Sequence, residues 1–130
     1  MNSASKDVLT MIEDSGSGLD LAFKVNLFRN FSPASPTNCV VFFDTTNRVS
    51  DADLDNNRIF YDNIQVKVRN AGFDTAYALA KQIETYLLTQ NHTTWSETYY
   101  GRIQVMSGPK PFEPNGNQSI IVTNYELTRR

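Results

Sequence analysis

The sequence predicts an α+β fold: a mainly antiparallel sheet of about five strands covered on one face by a long helix, plus a short N-terminal helix. Three observations carry this prediction. In residues 58–69, Ile64, Val66 and Val68 alternate with Gln65, Lys67 and Arg69, a period of two that sends one set to a core and the other to solvent or a partner. In residues 73–88, Phe73, Ala76, Tyr77, Ala80, Ile83 and Leu87 recur at steps of three and four, which places them along the sheet-facing side of a helix. Residues 98–107 and 118–129 then read as two further strands.

The remaining elements follow in chain order. Ser5 caps a helix beginning at Lys6, with Asp7 in the first turn, where unpaired backbone N–H groups favour an anion. Val8, Leu9 and Ile12 form its short apolar stripe, and Gly16 and Gly18 end it. Residues 19–31 alternate, with Leu21, Phe23, Val25 and Leu27 on one face, and read as a strand. Pro33 and Pro36 stop that strand, because proline cannot donate to a ladder. The run CVVFF at 39–43 reads as a buried strand, and residues 44–57 as a polar loop. The small Ala76 and Ala80 allow the long helix to sit close to the sheet. His92 and Trp95 fall in a loop, and three prolines make residues 108–117 a stiffened surface connection rather than a tight hairpin.

At 130 residues the chain fits one domain, residues 1–130. Twelve Lys and Arg against fourteen Asp and Glu give a net charge of −2, which argues against a protein that coats duplexes or membranes. The single cysteine, Cys39, excludes an internal disulfide and reads as a small buried hydrophobe. No apolar run approaches the ~20 residues of a spanning helix, and the N-terminus lacks an apolar signal core, so a soluble protein of cytosol-like conditions is expected, with no membrane partner.

Catalytic chemistry finds little to work with. Hydrolysis at neutral pH ordinarily needs a base, a nucleophile and an orienting group, and the only histidine, His92, sits among Asn91, Thr93 and Thr94. One histidine and one cysteine do not make a zinc site. The run DADLDNN has the alternating oxygens of a calcium loop but carries Asn56 and Asp62 where that loop needs glycine and glutamate. Asp44, Asp51, Asp53, Asp55 and Asp62 are the pool from which a magnesium site would draw, and aspartates in a polar loop ordinarily make turns. No catalytic residue, metal ligand or cofactor is expected. An alternative class is a nucleic-acid-binding module, with Arg58, Lys67, Arg69 and Arg102 on one face and Tyr99 or Tyr100 stacking on bases. The acidic sequence pI of about 5.3 weighs against it.

The order of these signatures resembles a known family. An N-terminal helix ending in glycine, a proline turn and the run VVFFDTTNR lead to IQVKVRN, an alanine-bearing helix and GRIQVMSGPKPFEPNGNQSIIVTNYELTRR. This order is similar to that of the minor capsid proteins of tailed bacteriophages grouped as tail terminator or tail completion proteins, over nearly the whole length. The sequence departs from the family pattern at Thr46-Asn47, where a glycine pair is expected, and after Phe112, where a glycine is missing.

The resemblance implies an α+β protomer that closes into a homo-oligomeric ring, hexameric in relatives. Such a ring caps the tail tube protein, stops its polymerisation and offers its other surface to the head–tail connector protein. DNA passes through the lumen without sequence-specific binding. The implied location is the virion, at the tail end or head–tail joint, after assembly in the host cytoplasm. A head-side connector or stopper of the same joint is the neighbouring reading.

A head-to-tail ring needs two different complementary patches on each copy. Arg58, Lys67 and Arg69 offer a cationic patch, and Asp51, Asp53, Asp55 and Asp62 an anionic one. Exposed ion pairs add only about 0–1 kcal/mol each, so apolar anchors are also required. Trp95 and Phe112, the latter close to Lys110, are the leading candidates. For Trp95 a lid over the end of the long helix is the equal alternative.

Overall fold

The computed structural model describes residues 1–50, 58–115 and 118–130, with the backbone alone described for residues 15 and 113–115. Two helices, α1 (Ala4–Glu13) and α2 (Phe73–Leu88), pack on one face of a sheet with strand order β1-β2-β3-β6-β5-β4. The strands are β1 (Leu27–Arg29), β2 (Cys39–Val49), β3 (Phe60–Asn70), β4 (Thr93–Trp95), β5 (Thr98–Asn115) and β6 (Gln118–Arg129). Only β1 and β2 run parallel. The sheet therefore has six strands among the described residues rather than about five.

The core follows from the alternation in the central strands. Ile64, Val66 and Val68 on β3 meet Phe42 and Val40 on β2 and Tyr125, Thr123 and Ile121 on β6, and all of them are buried beneath the helices. On α2 the inward stripe is Ala76, Ala80, Ile83 and Leu87. Phe73 and Tyr77, expected on that stripe, are instead exposed and stack on each other with ring centres 6.2 Å apart. The reason is spacing. Each helical residue turns the side chain by about 100°, so a stripe centred on 76, 80, 83 and 87 leaves 73 and 77 on a flank.

Four expected boundaries move. The strand predicted over 19–31 shrinks to β1, because Asp20 and Lys24 adopt left-handed backbone and the Ala22 carbonyl accepts the N–H groups of Val25, Asn26 and Leu27. Leu21 is half-buried and Leu27 buried, but Phe23 and Val25 are exposed. The first six residues of the predicted 44–57 loop belong to β2, where Asn47, Arg48 and Val49 pair with Asp62, Tyr61 and Phe60. Both faces of that extension are solvated, so it has no hydrophobic period. The loop holding Trp95 contains β4, joined to β5 through Ser96 and Glu97, both at positive φ as a tight hairpin turn requires. Residues 108–115, predicted as a connection, continue β5, which pairs with β6 as far as Asn115 and Gln118.

That last extension depends on irregularity. Register shifts interrupt the β5–β6 ladder at four places, one of them around Gly108. β4 covers β5 only from Thr98 to Tyr100, so among the described residues the outer edge of β5 beyond it has no strand neighbour. Prolines 109 and 111, which lack an N–H, are tolerated along such an edge and discourage unwanted pairing.

Candidate functional site

The structure separates the charged residues singled out from the sequence. Lys67 is half-buried on the open face of the sheet, the face without helices, between Val41 and Val122. Arg69 lies on the same face but is buried: its Nε donates to Thr37 O at 3.1 Å and Nη2 to Pro36 O at 2.7 Å. It clamps the proline turn. Arg58 is exposed ahead of β3, roughly 30 Å along the strand from Lys67, so the three do not form one cationic patch.

The anionic patch is also divided. Asp51, Asp53 and Asp55 lie outside the described residues. Asp62 shares the inward parity of Ile64 and Val66, is 6% exposed and forms an ion pair with Arg129. It is therefore an internal residue, which corrects its placement on a docking surface. Trp95 is half-buried against the core, with Nε1 donating to Gln90 Oε1 and Thr93 Oγ1, both at 3.1 Å. Of the two readings of this side chain, that geometry matches the lid. Lys110 and Phe112 are exposed on the β5–β6 hairpin, Phe112 at 62%. The nucleic-acid face loses two of its candidates, because Tyr100 is fully buried on the helix side and Arg69 is engaged, while Tyr99 is half-buried and Arg102 exposed.

Sequence reasoning missed the polar centre of the fold. Tyr100 donates its hydroxyl to Asp7 Oδ2 at 2.5 Å, and Arg129 Nη1 donates to Asn2 O at 2.7 Å and to Tyr100 Oη at 3.3 Å. Arg129 Nε meets Asp62, and Asn2 Nδ2 donates to Asp7 Oδ1 at 3.0 Å. Burial opposes the charge on Arg129, but Tyr100 and Asp62 outweigh it and hold the guanidinium protonated. Burial first, and Asp7 second, push the Tyr100 hydroxyl far up, so it stays a donor. The cluster ties the N-terminal helix to three strands. Its members satisfy one another, and this is the arrangement of a structural clasp.

Asp44, read from sequence as a loop residue, caps α1 from across the fold. Ser3 occupies the N-cap position without a side-chain cap bond, and Ser5 lies inside the first turn rather than capping it. Asp44 Oδ1 accepts from Ser5 N at 2.9 Å, and Oδ2 accepts from Ser5 Oγ at 2.5 Å and Asn30 Nδ2 at 2.8 Å. Burial alone would raise this carboxyl, but those hydrogen bonds and the charge of Arg29 hold it below its ordinary value. A carboxyl depressed by folding adds stability above its unfolded pKa and loses it as pH falls through the folded value. Asp44→Ala is expected to cost about 1–2 kcal/mol at neutral pH, as loss of a helix cap does. The same variant should lose less stability than the parent below about pH 4, read from urea unfolding across pH.

Cys39 is 3% exposed, and its burial raises the thiol pKa despite the opposing charges of Arg69 and Lys67. Among the described residues no group of three or more His, Cys, Asp or Glu side chains is placed to hold a metal ion. No helix among them is long and apolar enough to cross a membrane. The open face instead carries a polar ladder, Gln65 to Asn124 at 3.4 Å and Asn124 to Ser107 at 2.8 Å, spanning β3, β6 and β5. The opposite side of the protomer presents α2 with its exposed Phe73 and Tyr77. One copy thus has a sheet face, where the ladder lies beside the apolar cluster of Phe28, Cys39 and Val41, and a helical face.

A family model for the bacteriophage tail terminator protein matches residues 4–127. The chain belongs to that family. It is a family of structural tail proteins, and the match runs from the first residue of α1 almost to the end of β6. Among solved structures, a chain of the virion of a native gene transfer agent particle superimposes with a TM-score of 0.68. That chain is 14% identical, and the alignment covers 98% of the present chain and 94% of the other, a likeness of fold. No curated protein matches the sequence. The polar ladder and the α2 flank described above are thus surfaces of a tail terminator family member.

Proposed function

We propose that this protein assembles into a closed ring of six copies that caps the finished tail tube, ends its polymerisation and joins the tail to the head connector, with DNA passing through the ring. The observation that carries the reading is the tail terminator match across nearly the entire chain. The protomer geometry supports it, since a head-to-tail ring requires two different surfaces and the open sheet face and the helical face can serve as them. Arg58, Lys67, Lys110 and Phe112 are the exposed or half-exposed candidates for contacts between copies or with the tube, with Asp51, Asp53 and Asp55 as their anionic counterparts. Asp62, Arg69 and Trp95 act inside the protomer and support those surfaces.

Tail-tube polymerisation tests this directly. Purified protein added to polymerising tube subunits is expected to stop growth and narrow the length distribution seen by electron microscopy. Tubes that grow unchanged would contradict tail termination. Binding to the head connector with no effect on tubes would move the protein to the head side of the joint.

A further inference from the structure

A groove of about 490 Å³ runs between the C-terminal half of α2 and the 15–21 segment, with Leu19, Tyr86, Thr85 and the stem of Lys81 among its walls. An adjoining cleft of about 360 Å³ shares Ser17, Gly18 and Leu19 with it and is lined by Glu13, Asp14 and Asp20. These carboxylates surround the C-terminus of α1, the negative end of the helix dipole, and no basic residue lies in that last turn. The groove therefore offers Leu19 and the Tyr86 ring as an apolar strip among polar side chains, with Lys81 paired to Glu84 on one wall and an acidic rim beyond it.

The β5–β6 hairpin presents the complementary chemistry. Phe112 is the most exposed large aromatic among the described residues, and Lys110 is exposed two positions before it. Pro109 and Pro111 limit the backbone freedom of this segment, which lowers the entropy lost when it docks. Register fixes the side on which these residues stand. Phe112 pairs with Ile120, which pairs with Arg69, and Lys110 pairs with Val122, which pairs with Lys67, so both point to the open face. The groove lies on the helical face. The sheet stands between them, and Phe112 cannot reach the groove of its own chain.

We infer that the β5–β6 hairpin of one copy, led by Phe112 and Lys110, seats in the groove between α2 and the 15–21 segment of the next copy. Phe112 packs on the strip formed by Leu19 and Tyr86, and Lys110 meets the acidic rim at Glu13. The contact joins two different surfaces, and its repetition closes a ring when the rotation per copy allows. This inference rests on the ring reading above and assigns its interface.

The test is native mass measurement of the purified full-length chain and three variants. Wild type is expected to form the closed oligomer. Phe112→Ala and Lys110→Glu should each weaken assembly, the former by roughly thirtyfold or more, as loss of an aromatic anchor does. Both residues are exposed, so their melting temperatures should match wild type. Glu13→Lys combined with Lys110→Glu should restore assembly, because the swap re-forms the pair with opposite polarity. If wild type assembles and Phe112→Ala and Lys110→Glu assemble equally well, the hairpin-in-groove interface is wrong while the ring survives. If wild type remains monomeric, the ring reading fails and this interface with it.

Discussion

Arg129→Met is expected to lower the free energy of unfolding by about 3–5 kcal/mol, the cost of breaking a buried ion pair by removing one partner. Arg129 is 6% exposed and serves Asp62, Tyr100 and the Asn2 carbonyl at once, with Asp7 Oδ2 3.8 Å from its Nη1. Methionine fills a similar volume but donates nothing, so Asp62 keeps a buried charge without its counterion. The double variant Asp62→Leu with Arg129→Met should regain much of the loss, since a well-packed apolar pair costs little where a half-broken ion pair costs a great deal. Urea unfolding reads both, as a shift of the midpoint at constant slope. Equal destabilisation of single and double variants would show that the pair is not the clasp described here.

Gly108→Ala is expected to cost about 2–4 kcal/mol, the sum of left-handed strain and overpacking. Gly108 has φ +86°, and a Cβ there would collide with the Val122 carbonyl oxygen and come within 3.1 Å of Thr123 Cα. These atoms belong to the neighbouring strand's backbone and have no rotamer through which to yield. Gly18 provides the control. It too has positive φ, at +66°, but nothing lies within 4 Å of an added Cβ, so Gly18→Ala should cost only the backbone strain, about 1–2 kcal/mol. Gly108→Ala should also displace Lys110 and Phe112, which stand on the same hairpin, and so weaken assembly as well as folding.

Much of the fold is legible because its central elements are periodic. β3, β6 and α2 fall within about two residues of the expected spans, since each has a face that must be buried along its whole length. The failures occur where alternation has another cause or is missing. Residues 19–31 alternate, yet Asp20 and Lys24 turn the chain through left-handed backbone that no local glycine announces. The extension of β2 through Val49 has no buried face and so no period to read.

The candidate residues tell a similar story. Asp62 and Arg129 were available to a parity argument: Asp62 falls in step with Ile64 and Val66, and Arg129 with Tyr125 and Leu127, so two opposite charges share the inward face of neighbouring strands. Arg69 follows its outward parity, but the turn at 36–37 folds over it, and contacts between segments distant in sequence leave no local pattern. The cap supplied by Asp44 to Ser5 spans 39 residues and is hidden for the same reason. Lys110 and Phe112 stand exposed on the open face of β5, where among the described residues no strand flanks β5 beyond Tyr100.

On the proposed reading, the protein works by tiling with identical copies around a hollow axis. The mass of the native assembly, alone and on tail-tube ends, tests it most directly. A closed species of six times the 14.7 kDa chain mass is expected. A chain that stays monomeric at high concentration and leaves tube ends bare would contradict it.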